Sequence, residues 1–456
     1  MTRRGTARSG LRRGRAAAAL VTGARSVAAA GAALCVTAVL PVGGGTARAA
    51  GESGESGGYV YTEGARQVEG AAGTAGAALL EAGATYRGSL PRDGKLYYRM
   101  RLDAVSNAYV SVTAVPRPGS EVTAVDGVRV SVQDAEGGSC SRRSATFGAA
   151  RSPRPVTATG VREVSPGGSR CQGAGTYYVV VERARPKDSP PDDWGLELTT
   201  VSEPGLRRTG PADGTGPPNA WDSSSPEPLT AQPRRLHGGG GFAGATPVGQ
   251  GVWRDDIRSG QTLFYEVPLD WGQNLYATAE LDAADGRGGY ATAALGLALY
   301  NPVRGRVDDA GTGYTGRRTT VDLGPVPPVA YGNRHTVAGQ VSGMRFAGSY
   351  YLVVHLAEQV ADRFGTGPFG LTLRLRLMGT AGAGPGYAGE PVPRDVFEAT
   401  RAVGGVGGMG GSLAGGTEAG ESHPAMKAVA VGGIGAGSVL LAGLGVWTVM
   451  ARRRGA

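Results

Sequence analysis

Chemistry in this 456-residue chain would have to come from four histidines, three cysteines, three adjacent acidic pairs and one short glycine-serine string. Gly54-Glu55-Ser56-Gly57-Gly58 satisfies GxSxG literally. A nucleophile elbow, however, requires a strand-turn-helix setting that lifts the serine over a sheet, and this string lies in a glycine-rich stretch. His237 and His423 fall in linker-like sequence, His335 in a loop, and His355 inside a strand-like run; no two have ligand spacing. Asp192-Asp193, Asp255-Asp256 and Asp308-Asp309 could each join carbonyl oxygens around calcium, which needs six to eight oxygens, but isolated pairs read first as solvated turns. No other metal or cofactor is expected. Asp270-Trp271-Gly272-Gln273-Asn274 sets an aromatic ring beside amides and a carboxylate, a combination suited to stacking on a sugar or docking a protein. Asp270, Trp271, Gln273 and Asn274 are therefore the candidate surface-binding residues. The matching Asp103 to Asn107 stretch keeps Asp and Asn without the Trp, which is also what a plain turn would keep.

These residues sit between two targeting segments. Residues 1–49 carry eight Arg and no acid, with an apolar run from Ser26 to Val42 and the small-residue pattern Ala47-Arg48-Ala49, so a signal peptide cleaved after Ala49 is expected. The general secretory route fits better than the twin-arginine route, since no bulky apolar residues follow the arginine pairs at the required offset. Ala428 to Met450 is an uncharged run of 23 residues, about 34 Å as a helix and enough to cross a bilayer. Arg452 to Arg454 follow at once, placing the 451–456 tail in the cytoplasm and the rest of the chain outside. The expected location is thus the plasma membrane, single-pass, with an extracellular ectodomain. The nearest sortase-like string, Leu413-Ala414-Gly415-Gly416-Thr417-Glu418, has its Thr one place late, which favours a retained membrane anchor.

The formal charge of +9 belongs to the same ends. Twelve of the 47 Lys and Arg lie in residues 1–49 and 427–456, which leaves 35 cations against 38 acids in residues 50–426. A mildly acidic ectodomain has no general positive face for nucleic acid.

Between the ends the sequence repeats. Leu96-Tyr97-Tyr98, Leu102-Asp103, Asn107 and Tyr109 recur 167 positions later as Leu263-Phe264-Tyr265, Leu269-Asp270, Asn274 and Tyr276. Gly175-Thr176-Tyr177-Tyr178-Val179-Val180-Val181 matches Gly348-Ser349-Tyr350-Tyr351-Leu352-Val353-Val354, and Trp194-Gly195-Leu196-Glu197-Leu198 matches Phe369-Gly370-Leu371-Thr372-Leu373. Three blocks in one order mark a duplicated domain. Each reads as strand: Leu371 to Leu377 alternates apolar and polar residues, as does Val128 to Val132, so one face is buried and one wet. The Tyr-Tyr-Val-Val-Val run and its partner suit central strands covered on both faces.

The expected fold class is all-β: two tandem antiparallel β-sandwich, jelly-roll-like domains, plus the signal peptide and one transmembrane helix. The domain reading is a flexible N-terminal segment 50–78, repeat one at 79–202, a Pro/Gly-rich linker at 203–244, repeat two at 245–378, and a Gly-rich stalk at 379–426. The stalk would typically span roughly 35 to 42 Å. After signal removal Cys140 and Cys171 form an even pair in an oxidising compartment, which predicts a disulfide confined to repeat one.

The Gly-x-Leu-Tyr-Tyr stretch from Gly94 to Tyr98, the strand from Val128 to Gln133 followed by Gly137, and the closing run from Gly175 to Val180, the first and last with partners in the second copy, resemble the bacterial pre-peptidase C-terminal domain, a small β-sandwich of secreted and surface proteins. The resemblance covers most of both units and implies an accessory role; some such domains bind calcium or polymeric substrate, but no residue set here matches a calcium site. No nucleophile, base and acid come together, so the expectation is a non-enzymatic surface protein whose tandem sandwiches bind an envelope protein or a glycan. The alternatives are a structural spacer or component of an envelope or secretion complex, and an atypical extracellular hydrolase.

Overall fold

The computed structural model describes residues 58–399 apart from 166, 208–219, 228 and 287. The expected signal peptide, transmembrane helix and cytoplasmic tail lie outside the described residues. Among the described residues no helix is long and apolar enough to cross a membrane.

The first copy runs β1 (Arg66–Gln67), β2 (Ala78–Leu79), β3 (Thr85–Leu90), β4 (Leu96–Leu102), β5 (Asn107–Val115), β6 (Gly127–Gln133), β7 (Ser139–Thr146), β8 (Val156–Arg162), β9 (Gly175–Arg183) and β10 (Trp194–Glu203). The second runs β11 (Arg234–Arg235), β12 (Thr246–Pro247), β13 (Gly251–Ile257), β14 (Thr262–Leu269), β15 (Asn274–Leu281), β16 (Ala291–Tyr300), β17 (Arg306–Tyr314), β18 (Thr319–Leu323), β19 (Gly348–Leu356) and β20 (Phe369–Met378). Sheet I is β2-β4-β9-β6-β7 and sheet II is β1-β3-β10-β5-β8; sheet III is β12-β14-β19-β16-β17 and sheet IV is β11-β13-β20-β15-β18. Adding ten to every strand number of one sandwich gives the other, so the duplication seen in three sequence blocks extends to the whole topology. The long strands pair antiparallel; the two-residue strands β1, β2, β11 and β12 pair parallel with β3, β4, β13 and β14.

The alternation in the sequence sorts side chains as expected. Leu371, Leu373 and Leu375 are buried in the core between sheets III and IV while Arg374 faces outward, and Val128, Val130 and Val132 fill the core between sheets I and II. Strands β9 and β19, carrying the Tyr-Tyr runs, are the middle strands of their sheets. Their buried tyrosines Tyr177 and Tyr350 each donate to a carbonyl four residues upstream, Gly173 and Phe346, which satisfies the phenol within the core. The Cys140–Cys171 disulfide is present and ties β7 to the loop before β9.

The glycine shared by the third repeat block has one reason in both copies. A Cβ on Gly195 would overlap the Tyr61 hydroxyl, and one on Gly370 would overlap the Arg254 and Asp282 side chains, so each glycine lets a side chain lie flat on the outer sheet face.

The tracts expected to be flexible are ordered where they carry aromatics. Tyr59 and Tyr61, from the segment read as a flexible N-terminus, cover Glu197 and stack beside Arg87. Phe242, from the segment read as linker, is buried with Phe264, Tyr300 and Tyr351 on the outer face of sheet III. Residues 379–398, read as the start of the stalk, instead fold back as a strap: Val392 bridges Ser202, Tyr387 bridges Leu206, and Phe397 stacks on Phe346 with ring centroids 4.9 Å apart. The expectation is corrected at these edges, because glycine-rich composition averages over single aromatic anchors whose burial decides local order.

Candidate functional site

Asp270, Trp271, Gln273 and Asn274 come together, as the turn between β14 and β15. The Gln273 amide oxygen accepts the Asp270 N–H at 2.9 Å, the Asp270 carboxylate accepts the Trp271 N–H at 2.8 Å, and Asn274 is buried, donating to the Val326 carbonyl at 3.1 Å. Trp271 is half-buried against the core of the second sandwich, and its carbonyl accepts the N–H of Gly382 in the strap. In the first copy Asp103 closes the same turn onto Val105 and Ser106, and Asn107 donates to Glu203.

The histidines and acids divide among structural tasks. Asp255 accepts from the Tyr265 hydroxyl and the Gly238 N–H and faces His237 at 3.0 Å. Asp309 pairs with Arg306 at 3.0 Å and Asp308 accepts from Gln340. Among the described residues no three His, Cys, Asp or Glu groups are placed to share a metal ion. His355 Nε2 lies 2.9 Å from the Ser152 hydroxyl and Nδ1 lies 3.0 Å from that of Thr262. In an open cleft a Ser–His pair would suggest a nucleophile and its base; here Ser152 is fully buried and the pair joins the two sandwiches.

Two carboxylates that sequence alone did not single out organise that junction. Glu197 on β10 accepts from Tyr59 (3.0 Å), the Thr62 N–H (2.8 Å) and Arg304 (2.6 Å). Glu203, at the end of β10, accepts from Asn107 (2.8 Å), Tyr109 (2.8 Å), Tyr387 (3.1 Å) and Arg334 (2.6 Å). Both are fully buried. Burial pushes the Glu203 carboxyl up, but the Arg334 guanidinium and the donated hydrogen bonds outweigh it and hold the group ionised below its ordinary range. Arg304, in the turn after β16, adopts a left-handed backbone (φ 56) that costs a side chain about 1 kcal/mol, and it is held there from both ends: its guanidinium meets Glu197 and its carbonyl accepts from Thr159. The outer face of sheet II is thereby closed by the second sandwich.

The corresponding outer face of sheet IV stays open. Tyr276 occupies the place on β15 that Tyr109 occupies on β5, yet Tyr109 is buried against Phe346 while Tyr276 lines a cavity of about 550 Å³ with Thr278, Glu280, Asp322, Arg374 and Arg376. Glu227, Leu229, Thr230, Ala231 and Pro233 line one side. Glu280 pairs with Arg374 at 3.3 Å and Arg318 at 3.6 Å, whereas the buried Nε of Arg376 has no hydrogen-bond partner among the described residues. Burial and the Asp322 carboxylate raise the Tyr276 phenol above its ordinary range, so it stays a neutral donor. An aromatic face flanked by fixed carboxylates and guanidinium groups can stack on a ring and hydrogen-bond its hydroxyls.

No family model matches the chain, and no curated protein matches it. Among solved structures it is similar to the CUB1-EGF-CUB2 region of human MASP-1/3, at 8% identity over 64% of this chain and 99% of that one, with a TM-score of 0.17. It is also similar to the tandem CBM22 modules of Paenibacillus barcinonensis Xyn10C, at 10% identity over 65% and 92%, with a TM-score of 0.17. A third, tripeptidyl peptidase 2, shares 9% identity over 66% of this chain and 24% of that one, with a TM-score of 0.20. Superpositions this loose carry no argument about ligand or activity.

Proposed function

We propose that this chain is an exported, membrane-anchored, non-enzymatic binding protein whose two sandwiches act as one docked body and present the outer face of sheet IV to a glycan strand of the envelope. The observation that carries this reading is the unequal fate of one duplicated surface: Tyr109 closes the junction, whereas Tyr276 lies on an open groove among carboxylates and guanidinium groups. The aromatic ring, flanked by carboxylates that accept and guanidinium groups that donate, suits a hydroxyl-rich chain. The signal-like N-terminus and the apolar C-terminal run support a plasma-membrane location with the sandwiches outside. The resemblance to pre-peptidase C-terminal domains supports an accessory rather than catalytic role. The Asp270 turn then positions β15, and with it Tyr276, rather than touching ligand itself.

The test is retention of the full-length chain on immobilised envelope glycan, compared with Tyr276→Ala and with Tyr97→Ala as a remote control. Selective loss of retention in Tyr276→Ala supports the reading. Failure of the unaltered chain to retain glycan, or to recover a protein partner from envelope extract, favours the spacer reading, which the extensive docking of the two sandwiches also suits.

A further inference from the structure

We infer that the cleft where the two sandwiches meet, beside the disulfide, is a second binding site, one that takes an extended anionic polymer. Two adjoining cavities of about 380 and 630 Å³ share Arg143, Glu163 and Arg345 and so form one trough. Arg170 lines only the first cavity, and Arg306 and Arg334 line only the second. Five guanidinium groups thus line the trough from end to end against a single carboxylate, on an ectodomain that is otherwise slightly acidic. Arg345 pairs with Glu163, Arg334 with Glu203 and Arg306 with Asp309. Arg143 and Arg170 have no carboxylate within ion-pair distance among the described residues, so they supply uncompensated charge. A cleft between two low-dielectric walls concentrates that field, and guanidinium forks match phosphate and carboxylate oxygens. Cations along both cavities favour a chain of repeated anions over a single ion, which could occupy only one of them.

The wall is built in advance. Arg162, fully buried, donates to the carbonyls of Cys171 (2.8 Å) and Gly173 (2.7 Å) in the loop and to that of Asp103 (2.6 Å) beneath it. The disulfide pins the same loop to β7, the strand that carries Arg143. The second copy's loop before β19, which carries Arg334 and Arg345, lines the facing side of the trough without a disulfide, so the bond fixes the first copy's wall against it.

The test uses the full-length chain with two probes, short inorganic polyphosphate and oligogalacturonate, titrated at low and raised salt. The chain should bind at least one probe, more weakly as salt rises, and the preferred probe tells whether phosphate or carboxylate groups are read. Arg143→Ser with Arg170→Ser should weaken binding about tenfold, for two solvent-exposed charge-assisted contacts. The matched double variant Arg101→Ser with Arg117→Ser should leave it unchanged. The inference is overturned if neither probe binds at low salt, if the cleft variant binds as well as the unaltered chain, or if both double variants lose binding equally. Glycan retention through Tyr276 is read separately, so the two sites fail independently.

Discussion

His355 gives the junction a proton-linked stability that can be measured. Its ring is buried between the hydroxyls of Ser152 and Thr262, and Ser152 Oγ also accepts the Glu358 N–H at 3.0 Å. Burial, aided by the nearby Arg154 guanidinium, pushes the His355 pKa down to about 3. The folded chain therefore keeps this imidazole neutral where the unfolded chain protonates it. The stabilisation is complete above the unfolded value of about 6.5 and is lost progressively as pH falls from there towards 3. At pH 5 the loss from this one group is about 2 kcal/mol. In His355→Gln the proton linkage is absent, and at pH 8 at least one buried hydroxyl loses its partner, a cost of about 2 kcal/mol. Urea denaturation of both proteins at pH 8 and pH 5 should show the variant less stable at pH 8 and the gap closing by about 2 kcal/mol at pH 5. All other titrating groups cancel in this difference. A gap that stays constant within about 0.5 kcal/mol would refute a neutral buried imidazole at the junction.

Replacing Cys140 and Cys171 together by Ser should lower stability by about 3 to 4 kcal/mol in guanidinium denaturation, since the bond closes residues 31 apart in sequence; adding reductant to the unaltered chain should reproduce the loss. Glu203→Gln leaves the Arg334 guanidinium buried without its counter-charge and should cost about 3 to 5 kcal/mol, with part of that recovered when Arg334→Met is added, as a double-mutant cycle would read. Phe397→Ala should cost about 3 kcal/mol and release the strap, so that limited proteolysis cuts within residues 385–398 before either sandwich is attacked.

The fold class and its duplication were legible because they rest on local pattern. Period-2 alternation assigns residues to faces whatever surrounds them, and three repeated blocks in one order require two copies of one unit. The disulfide followed from cysteine number and compartment. The groove and the junction were not legible, for the same reason that the strands were. Alternation in Leu196-Glu197-Leu198 and in Leu371-Thr372-Leu373 marks one polar face in each copy but is silent on what covers it. Glu197 reads as a wet-face residue and becomes fully buried, because its partner Arg304 lies 107 residues away in the other copy. Tyr109 and Tyr276 are the same position in the repeat, and only the docking of one sandwich on the other makes the first a junction residue and the second a groove residue. The aromatic anchors in the glycine-rich tracts were hidden similarly, since their order comes from a distant apolar surface rather than from their neighbours. Sequence by itself thus determined the elements, their faces and their duplication, which depend on contacts between near neighbours. Which faces meet, which charges lose water and which surface is left open were decided only by tertiary structure, because burial is a property of the partner surface.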